Sequence, residues 1–241
     1  MTDKPVAVIT GASRGIGRAI AEGLAADGYK TILIARSKDT LKRVGFEIVT
    51  KLSLTKALSP DLCALDVTDE AAVQKTLEQI VETYGRIDVL VNNAGQWLDG
   101  SLDAPTDQVR AVLEVNVLAP YVLLQAVVPL MKKQGSGYLF NVASRAGTYG
   151  FAASGTYCAS KFALVGLSDS LHRELTPLGI KVTAICPGWV NTDMAIEAGT
   201  SLAAGDMIQP DDIAQTIRYL LHLSPTVCIK EIVLQSPLSV V

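Results

Sequence analysis

Seven short apolar runs punctuate this 241-residue chain: PVAVIT, KTILIA, LCALDV, IDVLVN, GYLFNV, IKVTAIC and EIVLQS. Between them lie stretches with helical spacing, such as GRAIAEGLAADG and AAVQKTLEQIVETYG. Strands apolar on both faces and alternating with helices require a parallel sheet covered on both sides. No linker, repeat or low-complexity segment interrupts the pattern. Residues 1–241 therefore read as one doubly wound α/β domain with a seven-stranded parallel sheet. In such sheets ligands bind beyond the carboxyl ends of the strands, where strand order reverses. Chemistry is expected at those ends.

Composition excludes several classes. Hydrophobic residues make up 49% of the chain, so it is not a disordered chain. The formal net charge is −3 and no Lys/Arg block appears, which argues against nucleic acid or an anionic membrane surface as partner. Cys63, Cys158, Cys186 and Cys228 are scattered, with no CxxC and no metal spacing to His172 or His222. They read as reduced thiols of a cytoplasmic protein that binds no metal. The opening MTDKPVAVITGASRG is not read as a leader, because its apolar run ends in a glycine turn. No stretch is expected to reach the roughly 18 apolar residues of a membrane span.

The helical stretch from about Thr106 to Lys133 is apolar almost all round: Val109, Val112, Leu113, Val117, Leu118, Val122, Leu123, Leu124 and Val127. Covering one sheet face needs one apolar stripe. The surplus predicts a second buried face, hence a homodimer or homotetramer joined through this helix.

The first strand runs into Gly11-Ala12-Ser13-Arg14-Gly15-Ile16-Gly17 and then a helix. Glycines let backbone N–H groups approach a pyrophosphate where the helix dipole favours anions. The spacing is GxxxGxG, not the GxGxxG of the usual dinucleotide fingerprint. The second strand ends in Ala35-Arg36-Ser37, where an NAD site would place an acid on the ribose 2′-OH. Arg36 and Arg14 could instead bracket a 2′-phosphate, which predicts NADP(H). Asp66-Val67 closes the third run at a natural height for an adenine edge. As a helix cap, Asp66, Thr68 and Asp69 are interchangeable on sequence. Asn92-Asn93-Ala94-Gly95 closes the fourth, where small residues permit close approach.

GTYCASKF sets Tyr157 and Lys161 four residues apart, on one helical face. Ser144 ends the fifth strand thirteen residues earlier, and Asn116 interrupts the long apolar helix. Taken together, TGASRGIG (10–17), LDV (65–67), NNAG (92–95), Asn116, NVAS (141–144), YCASK (157–161) and PGWVNT (187–192) resemble the short-chain dehydrogenase/reductase family over essentially the full length.

That resemblance implies a Rossmann-fold, NADPH-dependent oxidoreductase acting on a small-molecule carbonyl or alcohol. Tyr157 would pass the proton as general acid/base. Its ordinary pKa of about 10 would be lowered by Lys161, one turn away. Lys161 would also hold the nicotinamide ribose. Ser144 would steady the substrate oxygen, and Asn116 a water for proton resupply. Pro187-Gly188 would turn under the nicotinamide, with Thr192 and the Val190 backbone holding its carboxamide.

Trp97, Tyr149, Phe151, Trp189 and Met194 follow strand ends and suggest an apolar substrate pocket; core or hinge roles suit them equally. The segment from Trp189 to Gln209, without Lys or Arg, reads as a mobile lid. The front of the chain resembles 3-oxoacyl-[acyl-carrier-protein] reductases. There Lys132, Lys133 and Arg173 would face an acidic carrier or simply be solvated. The ending EIVLQSPLSVV lacks their VDGG-like segment and is closer to sepiapterin-reductase-like members. The alternative to an enzyme is an NADP(H)-binding redox sensor or scaffold without turnover.

Overall fold

A computed structural model describes residues 3–239; Val240 and Val241, which end the C-terminal segment compared above, lie outside it, as do Met1 and Thr2. All seven predicted strands form: β1 (Val6–Thr10), β2 (Lys30–Ala35), β3 (Asp61–Ala64), β4 (Val89–Asn92), β5 (Gly137–Val142), β6 (Ile180–Pro187) and β7 (Glu231–Leu234). They make one parallel sheet in the order β3-β2-β1-β4-β5-β6-β7. Strand order reverses between β1 and β4, so a crevice opens there at the carboxyl edge.

Helices cover both faces. On one side α1 (Gly15–Ala26), α2 (Lys38–Leu52) and α8 (Pro210–His222) bury Ile20, Leu24, Leu41, Ile48, Ile213 and Ile217 against Ile9, Leu33 and Phe140. On the other, α3 (Glu70–Tyr84), α5 (Ala119–Gln134) and α6 (Gly155–Leu175) pack Leu77, Leu123, Val127, Met131 and Leu175 against Val8, Ile32, Leu90 and Leu139. Successive strand residues alternate between these two cores, which is why both faces of the central strands are apolar.

Two sequence expectations need correction. β3 stops at Ala64, so Asp66-Val67 lies just past the strand. The cap of α3 is Asp69, whose carboxylate accepts the Ala72 N–H at 3.0 Å; Asp66 instead closes a local turn onto Thr68.

The second correction concerns the long helix. It spans Thr106–Gln134, and its most apolar window has a mean hydropathy of 1.8, so by length and composition it could cross a membrane. The expectation that no stretch would reach that level fails here. In the fold its apolar side packs on the sheet and Asn116 is buried within it.

That helix is not regular. α4 (Thr106–Leu113) passes into a π turn at Glu114–Leu118 before α5. Pro120 has no N–H to give the Asn116 carbonyl, and the Ala119 N–H reaches Glu114 five residues back. The bulge sets Asn116 inward.

Candidate active site

A cleft of about 1920 Å³ opens beyond the carboxyl ends of the strands, across the β1/β4 switch point. Among the cofactor residues picked from the sequence, Gly17 is absent from its wall, because it is packed beneath the turn. A Cβ on Gly17 would lie 2.4 Å from the Gly11 carbonyl oxygen and 2.5 Å from Asn93 Nδ2. Only glycine permits that fold-back. Arg14, the residue before α1, gives the helix no side-chain cap, so the first-turn N–H groups face the cleft edge uncapped. The turn is thus shaped for a pyrophosphate, and the residues present fit a dinucleotide.

Asn93 and Thr10 hold the turn in place. Asn93 Nδ2 donates to the Thr10 carbonyl at 2.9 Å, and Thr10 Oγ1 accepts the N–H groups of Asn93 at 2.9 Å and Ala94 at 3.0 Å. Thr10 was not singled out from the sequence. Its place immediately before Gly11, where β1 meets the turn, is the signal that could have found it.

The two predicted phosphate-binding arginines differ. Arg14 donates to Asp193 at 2.7 Å, across the cleft mouth. Arg36 forms no ion pair among the described residues. Its charge adds to the lowering of the Asp66 carboxyl below its usual range, which comes chiefly from the Thr68 N–H bond.

On the β5 side, α6 presents Tyr157, Ser160, Lys161, Leu164 and Ser168 to the interior. Tyr157 and Lys161 therefore share one buried face, only 7% and 4% exposed. Gly147 makes this possible: a Cβ there would sit 2.7 Å from the Lys161 carbonyl oxygen, so the turn carrying Ser144 presses directly on α6. Ser144 Oγ accepts the Ala146 N–H at 3.1 Å and hydrogen-bonds the Tyr157 phenol. Lys161 Nζ donates to the Val142 carbonyl at 3.2 Å and sits 5.7 Å from the Tyr157 ring centre.

Burial dominates the electrostatics of the pair. It pushes the Tyr157 phenol up to about 12, against a smaller lowering by Ser144. It pushes Lys161 down to about 8. The expected lowering of the phenol by Lys161 is therefore not what sets this pKa.

Asn116 is fully buried, and its side-chain groups are engaged. Oδ1 accepts the Gln96 N–H at 2.8 Å; Nδ2 donates to the Gln96 carbonyl at 2.9 Å and to Ser160 Oγ at 3.0 Å. Ser160 in turn donates to the Tyr157 carbonyl at 2.7 Å. Asn116 thus ties the strand-end loop after β4 to α6, and Gly95 lies beside both Asn116 and Lys161. Ser160, which sequence reasoning missed, stands one place before Lys161.

Trp97, Phe151, Trp189 and Met194 line the cleft, and the Trp97 ring lies 4.7 Å from that of Tyr157. Tyr149 does not: it packs on Phe151 and on Arg145, a buried arginine held by Gln235 and the Ser239 carbonyl. The predicted lid has a fixed stem. Ile208 donates to the Trp189 carbonyl at 3.0 Å and Asn191 to the Ile208 carbonyl at 2.8 Å, closing a loop that carries the short helix α7 (Asp193–Glu197).

Comparison with known proteins agrees with this geometry. The family model described as short chain dehydrogenase matches residues 5–202. An uncharacterized oxidoreductase of Staphylococcus aureus (strain N315) is 35% identical over 233 residues, which cover 96% of each chain. Among solved structures, a β-ketoacyl-[ACP] reductase from Bacteroides thetaiotaomicron superposes with TM-score 0.87 at 49% identity, covering 99% of both chains. A metagenomic short-chain oxidoreductase in complex with NADP superposes with TM-score 0.82 at 34% identity over 96% of both chains. With the glycine turn and the Ser144–Tyr157–Lys161 cluster meeting in one cleft, this chain is an oxidoreductase belonging to the short-chain dehydrogenase family.

Proposed function

We propose that the protein is an NADPH-dependent carbonyl reductase, or an alcohol dehydrogenase in reverse, with Tyr157 as general acid/base. The observation that carries this reading is the phenol: buried, bonded to Ser144, and opening on the same cleft as the glycine turn. When bound, the nicotinamide supplies or accepts the hydride. The glycine turn, Ser13 and Ile16 would hold its pyrophosphate. Asp66 and Val67 would hold the adenine, Arg36 and Ser37 the 2′-phosphate end, and Ala94, Gly95, Pro187, Gly188, Val190 and Thr192 the nicotinamide end.

The remaining steps belong to the chain. Ser144 donates to the substrate oxygen and stabilises its developing negative charge. Tyr157, kept neutral by burial, gives its proton to that oxygen. The charged form of Lys161, near the phenol, favours the tyrosinate left behind. Trp97, Phe151, Trp189 and Met194 exclude water and offer an apolar wall.

The 49% identity to the Bacteroides reductase makes β-ketoacyl thioesters the first substrates to try, and pterins the second. The exposed Leu113, Leu118, Tyr121 and Phe162 form an apolar face that a second copy would cover in a homodimer or homotetramer. The test is NADPH oxidation against β-ketoacyl thioesters, simple ketones, quinones and pterins. Turnover with one class identifies the substrate. Tight NADPH binding with no turnover across the panel favours the sensor or scaffold reading.

A further inference from the structure

Five cations from α1, α2 and the turns after β1 and β2 line one end of the cleft: Arg14, Arg18, Arg36, Arg43 and Lys51. Three are already neutralised. Arg14 pairs with Asp193 at 2.7 Å, Arg18 with Glu47 at 3.0 Å, and Lys51 with Glu22. Arg36 and Arg43 form no ion pair among the described residues. Asp66, whose carboxyl feels the charge of Arg36, has its Oδ1 occupied by the N–H and hydroxyl of Thr68.

The two free guanidiniums are joined by hydroxyls. Ser37 Oγ and Thr40 Oγ1 lie 2.9 Å apart, and both residues line the same wall. Thr40 and Arg43 are three residues apart on α2, so they share a face of that helix. A phosphate monoester carries a charge of about −1.5 to −2 near neutral pH, which asks for two cations and several donors. Arg36, Ser37, Thr40 and Arg43 supply that set.

We propose that Arg43, with Arg36 and the two hydroxyls, forms the receptor for the cofactor's 2′-phosphate, and that Arg14 stands outside it as the partner of Asp193 on the lid. This inference rests on the NADP(H) reading above. It moves the role of second cation from Arg14, expected from sequence, to Arg43.

Isothermal titration of NADP⁺ and NAD⁺, with 2′-AMP against adenosine as the isolated phosphate probe, tests it in wild type, Arg36→Gln, Arg43→Gln and Arg14→Gln. Wild type is expected to favour NADP⁺ and 2′-AMP. Arg43→Gln should weaken both by about ten-fold or more, the loss of one charge-assisted bond, and leave NAD⁺ within about two-fold. Arg14→Gln should keep the NADP⁺/NAD⁺ ratio. If the ratio collapses in Arg36→Gln but survives in Arg43→Gln, the Arg43 assignment is wrong and the NADP(H) reading stands. The Arg43 assignment also fails if Arg14→Gln loses as much as Arg43→Gln. A wild type that binds both dinucleotides equally overturns the NADP(H) reading and this inference together.

Discussion

Tyr157 and Lys161 show what spacing reveals and what it hides. Four residues on a helix put them on one face, and the sequence alone says so. It does not say that the face is buried, and burial decides their protonation. The folded chain holds Lys161 at about 8, below its ordinary 10.5. The unfolded chain therefore binds more protons between those values, and stability rises with pH across that window. Tyr157 goes the other way: its folded value of about 12 lies above its ordinary 10, so stability falls as pH rises from about 10 towards 12. Lys161→Met is thus expected to unfold at higher urea than wild type at pH 7, by on the order of 1–3 kcal/mol. That gain should shrink between about pH 8 and 10.5, where wild type recovers the difference. A gain independent of pH would show that burial of the ammonium is not its source. Asp193 and Thr10 were beyond sequence reasoning for another cause: their partners, Arg14 and Asn93, lie 179 and 83 residues away.

Elements were easier to read than their irregularities. The apolar runs marked every strand, because a strand buried on both faces leaves an unmistakable run of Val, Ile and Leu. The π turn at Glu114–Leu118 was not anticipated, although Pro120 signals it through its missing N–H. Nor did the sequence show that Gly147 is a packing device. Its Cβ would meet the α6 backbone at 2.7 Å, where nothing flexible can yield. Gly147→Ala is expected to cost about 1–3 kcal/mol of stability and to displace Ser144 from Tyr157. Urea unfolding and kcat on the same variant check this; wild-type values for both would mean that the Ser144 turn does not rest on α6. The Trp189–Gln209 lid is likewise more constrained than its Ala/Gly/Ser composition suggests, with both ends of its stem hydrogen-bonded together.

For the whole molecule, the strand order brings motifs from opposite ends of the chain to one edge of the sheet. Glycine turn, Asn116, Ser144, Tyr157 and the PGWVNT stretch converge there only because the sheet reverses between β1 and β4. The apolar excess of the long helix, read from sequence as an oligomer face, is partly exposed at Leu113, Leu118 and Tyr121. Leu118→Glu is expected to shift sedimentation towards the monomer; an unchanged sedimentation coefficient from a self-associated wild type would remove this face from the interface. The central claim is that proton transfer from Tyr157 completes hydride reduction in this cleft. Its most direct measurement is NADPH oxidation by Tyr157→Phe on whichever carbonyl the wild type reduces, with NADPH affinity titrated on the same sample. Turnover should fall by about 10²–10⁴-fold while the affinity stays within about two-fold. Turnover at the wild-type rate would contradict the claim.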